Sequence, residues 1–174
     1  MMKQKFLMIL AAFALAIGNA NARLGWTLDE CQNVWGPPTN VLYDSKVNQT
    51  AYNFKAGANL FAQVYVLNGH VVSVSYCSRI AKFLVGSVRE LLQKNVPGYW
   101  TVYDDKRGKK SLMTWQYLAV DTGEVLAYAI LWNYPDGHGF YKLQVSSKFW
   151  DDYLTGRGAD PTNLLNVQTA WGGR

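Results

Sequence analysis

The histidines are the first side chains in this sequence to test for chemistry, because there are only two of them. His70 follows Asn68-Gly69, and His138 follows Asp136-Gly137. Neither histidine lies at metal-ligand spacing from a set of cysteines or carboxylates. We therefore interpret both as polar residues that flank turns, and we predict no metal site and no cofactor.

Three adjacent carboxylate pairs are the remaining candidates for acid–base catalysis. They are Asp29 with Glu30, Asp104 with Asp105, and Asp151 with Asp152. Neighbouring side chains do not face each other on a helix, and on a strand they point to opposite faces. The sequence also lacks the G-x-S-x-G, P-loop and H-E-x-x-H motifs. We predict that the protein is not an enzyme.

Aromatic side chains are better candidates for function, since they make up 14% of the chain and crowd its second half. Tyr and Trp on an open sheet face form protein-recognition hot spots, and they also stack on sugars. A basic loop at 104–110 would steer an approaching partner. Core packing is the competing interpretation for each aromatic residue, and a solvated hairpin tip is the competing interpretation for the loop. The residues predicted to bind are Trp100, Trp115, Trp132, Tyr134, Lys106 and Arg107.

The first 22 residues have the pattern of a secretory signal. Lys3 and Lys5 precede an apolar run at 6–17, and an Ala-Asn-Ala tripeptide ends at Ala22. The run is shorter than the roughly 20 apolar residues that a membrane span needs. We predict cleavage after Ala22 and a periplasmic or secreted protein without a membrane anchor. Without the two signal lysines the formal charge falls from +5 to +3, which is too small to indicate nucleic acid.

The elements that position the candidate residues are predicted from cap and turn chemistry. Thr27 and Glu30 form a T-x-x-E capping box, and Gly36-Pro37-Pro38 ends the helix that it begins. Short β-branched and aromatic runs follow, with Asn68-Gly69 as a hairpin turn. Residues 23–78 are therefore predicted to form one short helix and an antiparallel meander of four strands.

The same order of signals recurs further along the chain. Ser87 and Glu90 repeat the capping box at an offset of 60 residues, and Pro97 repeats Pro37. The predicted fold is α+β, a tandem repeat of helix plus four-stranded meander with the helices on one face of the sheet. The second unit covers 79–155, and 156–174 lacks a period and is predicted to be a flexible tail. Two independently built segments are the alternative, since cap and turn chemistry is general.

The two cysteines, Cys31 and Cys77, leave their pairing open. Export would permit a disulfide, and closing a loop of about 47 residues would stabilise the protein by roughly 4 kcal/mol. Strand alternation argues against it, because Val74 and Tyr76 share the core face and Cys77 points away from it. Cys31 belongs to the apolar stripe of the first helix. Both the bonded and the unbonded state remain possible from the sequence.

The first helix motif resembles that of a known group of exported domains. Gly25-x-Thr27 followed by Gly36-x-Pro38 is similar to the helix signature of SmpA/OmlA-type domains, and the predicted architecture is similar to the β-lactamase inhibitor protein, which has two tandem helix-plus-four-strand units. The lipid-attachment cysteine of the former is absent, and Val96 stands where a second copy of the signature would have glycine. The resemblance implies a fold and a habit of binding proteins through a sheet face, and it implies no chemistry.

Two functions follow from these patterns. In the first, the protein is an exported, non-catalytic binding module that engages another exported or envelope protein through an aromatic-rich sheet face. In the alternative, the same face binds a glycan or cell-wall polymer. Neither function involves nucleic acid.

Overall fold

The computed structural model of the protein describes residues 23–80, 82–103, 113–132 and 141–156. The predicted signal segment with its cleavage point at Ala22, the basic loop at 104–110 and the chain beyond Gly156 lie outside the described residues.

Three helices and eight strands make up the described chain. In order they are α1 (Leu28–Trp35), β1 (Asn40–Asp44), β2 (Gln49–Lys55), β3 (Leu60–Leu67), β4 (His70–Ser78), α2 (Val85–Asn95), β5 (Trp100–Val102), β6 (Met113–Leu118), β7 (Val125–Trp132), β8 (Tyr141–Ser147) and α3 (Lys148–Leu154). The strands form one antiparallel sheet in the order β1-β2-β3-β4-β8-β7-β6-β5.

The predicted tandem fold is wrong, because the eight strands form a single continuous sheet. β4 pairs with β8 from Ser73 opposite Ser146 to Ser78 opposite Tyr141. The prediction treated each helix and its four strands as a separate unit. Such a unit would leave the backbone groups of its last strand unpaired, and the β4–β8 pairing satisfies those groups in both halves of the chain.

The first predicted capping box is confirmed. The Thr27 backbone N–H donates to Glu30 Oε2 at 2.7 Å, and the Glu30 backbone N–H donates to Thr27 Oγ1 at 3.3 Å. Gly36 ends the helix with φ 78°, a left-handed conformation that favours glycine. α1 therefore begins and ends where its sequence signals predict.

The second predicted capping box, Ser87 with Glu90, does not form. α2 already begins at Val85, with Leu84 as its N-cap and no side-chain hydrogen bond at that position. Ser87 consequently lies inside the helix. The helix still ends just before Pro97, as predicted.

The hairpin between β3 and β4 uses the predicted turn. Asn68 and Gly69 have φ 51° and 83°, as a type I′ turn requires. The register shifts within this hairpin and leaves Val72 without a directly opposed residue. Val71 therefore packs in the main core, whereas Val72 is buried on the other face of the sheet.

The main core lies between α1, α2 and one face of the sheet. The buried side chains of this core include Cys31, Val88, Leu91 and Leu92 from the helices and Phe54, Val64, Val74, Tyr76, Leu143 and Val145 from the strands. The Asn95 side chain donates to the Tyr76 hydroxyl at 2.9 Å and to the Leu91 carbonyl at 2.8 Å. These bonds fix the end of α2 over the central strand.

The third helix packs on the opposite face of the sheet, so the prediction that all helices lie on one face is wrong. Trp150 is buried with Val72, and its ring stacks on Tyr65 with centroids 5.1 Å apart. The Tyr153 hydroxyl donates to the Val47 carbonyl at 3.3 Å. α3 therefore covers one end of this second face, over β4, β8 and β7, and its aromatic side chains reach β3 and the β1–β2 turn. No helix in the described part of the chain is long and apolar enough to cross a bilayer.

Replacing Leu143 with Ala is expected to destabilise the whole sheet. Leu143 is fully buried between Tyr76 of β4 and Leu131 of β7, and removing such a side chain costs about 2–5 kcal/mol. Urea unfolding of the mature chain, followed by far-ultraviolet circular dichroism and Trp fluorescence, should show one transition at a lower midpoint with both probes. Val120→Ala, at a 94% exposed turn position, should change stability by less than about 0.5 kcal/mol. Two separate transitions, of which only one shifts, would contradict a single sheet.

Candidate binding face

Strand pairing places five side chains from five strands in one row on the face opposite α1 and α2. Lys55 lies opposite Phe61, and Phe61 lies opposite Cys77. Cys77 in turn lies opposite Lys142, and Lys142 lies opposite Trp132. Directly opposed residues of antiparallel strands share a face. We call this set the outer row.

A second row runs beside the outer row and is mainly polar. Its members, in order across six strands, are Asn53, Gln63, Ser75, Gln144, Ile130 and Thr114. All except Ser75 are partly exposed. We call this set the middle row, and the outer and middle rows together the open face. Three of its members carry amide groups, which can both donate and accept hydrogen bonds.

The outer row combines aromatic rings with cations. The Lys142 Nζ lies 5.3 Å from the centroid of the Trp132 ring, a cation–π contact worth about 0.5–1 kcal/mol at an exposed site. Phe61 is 39% exposed, and Lys55 is also exposed. The two rows contain no carboxylate. The open face is thus an aromatic and amide surface with positive charge along one side.

The described aromatic residues that were predicted to bind lie on opposite faces of the sheet. Trp132 lies on the open face, whereas Trp115 is 5% exposed in the main core. Trp100 also packs against that core, with its indole N–H donating to the Val96 carbonyl at 3.0 Å and its ring centroid 5.5 Å from that of Tyr117. Trp100 and Trp115 therefore stabilise the helix-covered side and do not contribute to the open face. The other predicted residues, Tyr134, Lys106 and Arg107, lie outside the described residues.

Trp132 is the one residue of the open face that was predicted to bind, and the prediction missed its other members, among them Phe61, Lys142 and Gln144. Strand alternation contained part of the signal, since Phe61 lies between the core residues Leu60 and Ala62. What the sequence did not show is that β3 and β8 are brought together through β4. The neighbours of a side chain on the face depend on that order of strands.

The two cysteines are not joined by a disulfide, because they lie on opposite sides of the sheet. Cys31 is buried between α1 and the sheet, and Cys77 lies in the outer row. Burial, followed by the negative charge of Glu30, raises the pKa of the Cys31 thiol to about 12. Cys31 is thus a core residue, and Cys77 is a thiol within the candidate binding face.

His70 holds the segment that precedes α1 against the sheet. Its ring Nδ1 lies 3.0 Å from the Gly25 carbonyl, and its backbone forms an isolated bridge with Thr27. Among the described residues no group of three or more His, Cys, Asp or Glu side chains is placed to hold a metal ion. His138 lies outside the described residues. These contacts give His70 a structural role.

No protein-family model matches the sequence. No curated protein matches it either.

Two solved structures share part of the shape. A cysteine-rich secretory protein from Staphylococcus aureus subsp. aureus Mu50 matches with a TM-score of 0.43 and 13% identity, over 72% of this chain and 43% of that chain. An extracellular protein containing a SCP domain from Bacillus anthracis str. Ames matches with a TM-score of 0.38 and 15% identity, over 72% and 44%. The chain spans less than half the length of either protein. Neither likeness is close enough to assign this chain to a family.

We expect the protein to lose stability as the pH rises above about 9. The folded-state pKa of Cys31 is raised from 9.0 to about 12, so above pH 9 the unfolded chain loses this proton while the folded chain keeps it. The free energy of unfolding should then fall by about 1.4 kcal/mol per pH unit. Above pH 10 Tyr65 and Tyr76 add to the decline, because burial raises the pKa of both hydroxyls.

Urea unfolding at intervals between pH 8 and 10 measures this decline. Cys31→Ala should remove most of it over this interval, and Cys77→Ala should leave it in place as the matched control. A wild-type free energy of unfolding that stays constant from pH 8 to 10 would contradict the assignment to Cys31.

Proposed function

We propose that the protein is an exported, non-catalytic binding module whose open face engages another exported or envelope protein. The observation that carries the proposal is the outer row, in which Phe61 and the Trp132–Lys142 pair stand on a part of the sheet that α3 does not cover. The secretory pattern at 1–22 and the sequence resemblance to protein-binding exported domains support the same function.

The composition of the open face suits a protein partner. Protein interfaces combine aromatic and aliphatic anchors with hydrogen-bonding groups around them. Phe61, Ile130 and Trp132 are the anchors on this face, and Gln63 and Gln144 lie between them. Each anchor sits on a strand that is paired on both sides. Little backbone ordering is therefore needed on binding.

The charge of the open face indicates what kind of protein surface it fits. Lys55 and Lys142 are its only charged residues. Interfaces bring complementary potentials together, which raises association rates and excludes like-charged partners. The partner surface is accordingly one that presents carboxylates opposite the outer row.

A photo-crosslinker attached to Cys77 tests the proposal directly. The thiol lies in the middle of the outer row, while the buried Cys31 is protected from the reagent. A benzophenone maleimide on Cys77 should give an adduct with one envelope protein. Trp132→Ala should lower the adduct yield on the order of ten-fold, because hot-spot truncations cost at least about 1–2 kcal/mol. A second label at Thr114→Cys in a Cys77→Ser background covers the case in which a label at Cys77 blocks binding.

The matched control carries the same label at Val120→Cys in the Cys77→Ser background. Val120 lies in the turn between β6 and β7, at the other end of the sheet from the outer row. This label should give no specific adduct. Equal adducts from both positions, or adducts that Trp132→Ala does not reduce, would exclude the open face as the binding surface.

A glycan or cell-wall polymer is the second candidate ligand, and the middle row favours it. Asn53, Gln63 and Gln144 can hydrogen-bond sugar hydroxyls while the Trp132 ring stacks on a sugar face. Retention of the mature chain on peptidoglycan or polysaccharide resin should then be lost in Trp132→Ala and kept in Val120→Ala. Such retention, without a protein adduct, would replace the protein-binding proposal by the glycan one.

A further inference from the structure

Most carboxylates of the described chain lie towards one end of the sheet. We call one end of the sheet the turn end: it carries the turns at 45–48, 68–69 and 119–124. The loop end is the opposite one, where β2 connects to β3 and β4 connects to α2. Carboxylates lie at the turn end in the first turn of α1, at the end of β1, in the 119–124 turn and on α3, where they outnumber cations such as Lys46 and Lys148.

The described residues of the loop end carry positive charge alone. Lys55 and Lys142 come from the outer row, and Arg79 and Lys82 come from the connection between β4 and α2. Glu90 lies further along α2 and forms an ion pair with Lys94 at 2.9 Å. Because the two ends differ in net charge, the field of an anionic surface favours an orientation with the loop end towards it.

The connection from β4 to α2 also exposes aliphatic side chains. Ile80 is 65% exposed, and more than half of Leu84 and of Val85 is exposed as well. Phe83, between them, is buried in the main core. Phe83 thereby anchors the segment, and its aliphatic neighbours remain exposed to solvent near Lys82 in the sequence.

We propose that the loop end docks on an anionic phospholipid bilayer. Aliphatic side chains can enter the boundary between headgroups and acyl chains, while nearby Lys and Arg side chains contact the phosphates. The exposed side chains described in the connection from β4 to α2 are mainly aliphatic and basic. A protein-recognition surface is characteristically richer in aromatic residues. This docking surface shares Lys55 and Lys142 with the outer row, and its aliphatic residues lie outside the open face.

Sedimentation with lipid vesicles tests the proposal on the mature chain. The protein should bind vesicles of equal phosphatidylglycerol and phosphatidylcholine, and should not bind pure phosphatidylcholine. Raising the salt concentration from 0.05 to 0.5 M should release it, because the Debye length then falls from above about 10 Å to below about 8 Å. Lys82→Gln should weaken binding about five-fold, the effect of one cation near an anionic bilayer. Ile80→Ser with Val85→Ser should weaken it on the order of ten-fold or more.

Two control variants at the turn end match these changes. Lys46→Gln removes a cation and Val120→Ser removes an exposed aliphatic side chain, and both should leave vesicle binding unchanged. The replaced loop-end residues are exposed, so urea midpoints should agree across all variants. Absence of binding at low salt, or equal losses at both ends, would overturn the proposal. So would binding to soluble polyglutamate that needs Lys82 and not Ile80, since that pattern indicates an acidic protein partner.

Discussion

The backbone pairing of β4 with β8 is the interaction on which the rest of the structure depends. It joins strands from the two halves of the chain over six residue pairs. The same pairing sets Val74 opposite Val145 and Tyr76 opposite Leu143, all fully buried. These four side chains belong to the buried cluster against which both α1 and α2 pack. The two helices therefore share one core, and neither half of the chain has a complete core by itself.

The same pairing also creates the candidate binding face. Lys55 and Phe61 come from the first half of the chain, and Lys142 and Trp132 come from the second half. They form one row because Cys77 and Lys142 are opposed across the β4–β8 pairing. The site is thus a property of the joined sheet. A change that separates the halves would remove the binding surface and the shared core together.

Local chemistry in the sequence predicted the local structure well and the assembly poorly. The Thr27–Glu30 cap and the Asn68-Gly69 turn form because their partners lie within a few residues. The Ser87 cap fails because the N-cap of α2 is Leu84, three residues earlier and next to the anchored Phe83. The β4–β8 pairing uses backbone groups that every sequence carries, so no residue pattern marks it. The order and the register of the strands were needed to assign Trp132 to the open face and Trp115 to the main core.

The size of α3 explains why the second face of the sheet stays partly open to a ligand. A helix of seven residues is about 10 Å long, whereas Lys142 of the outer row lies five residues before Ser147 on β8, about 17 Å along the strand. Ser147 caps α3 directly at the end of β8, and the stacking of Trp150 on Tyr65 holds the helix at the turn end. α3 therefore cannot reach the outer row. The side chains there stand on strands fixed by pairing on both sides, so their arrangement before binding already resembles the one that a ligand needs.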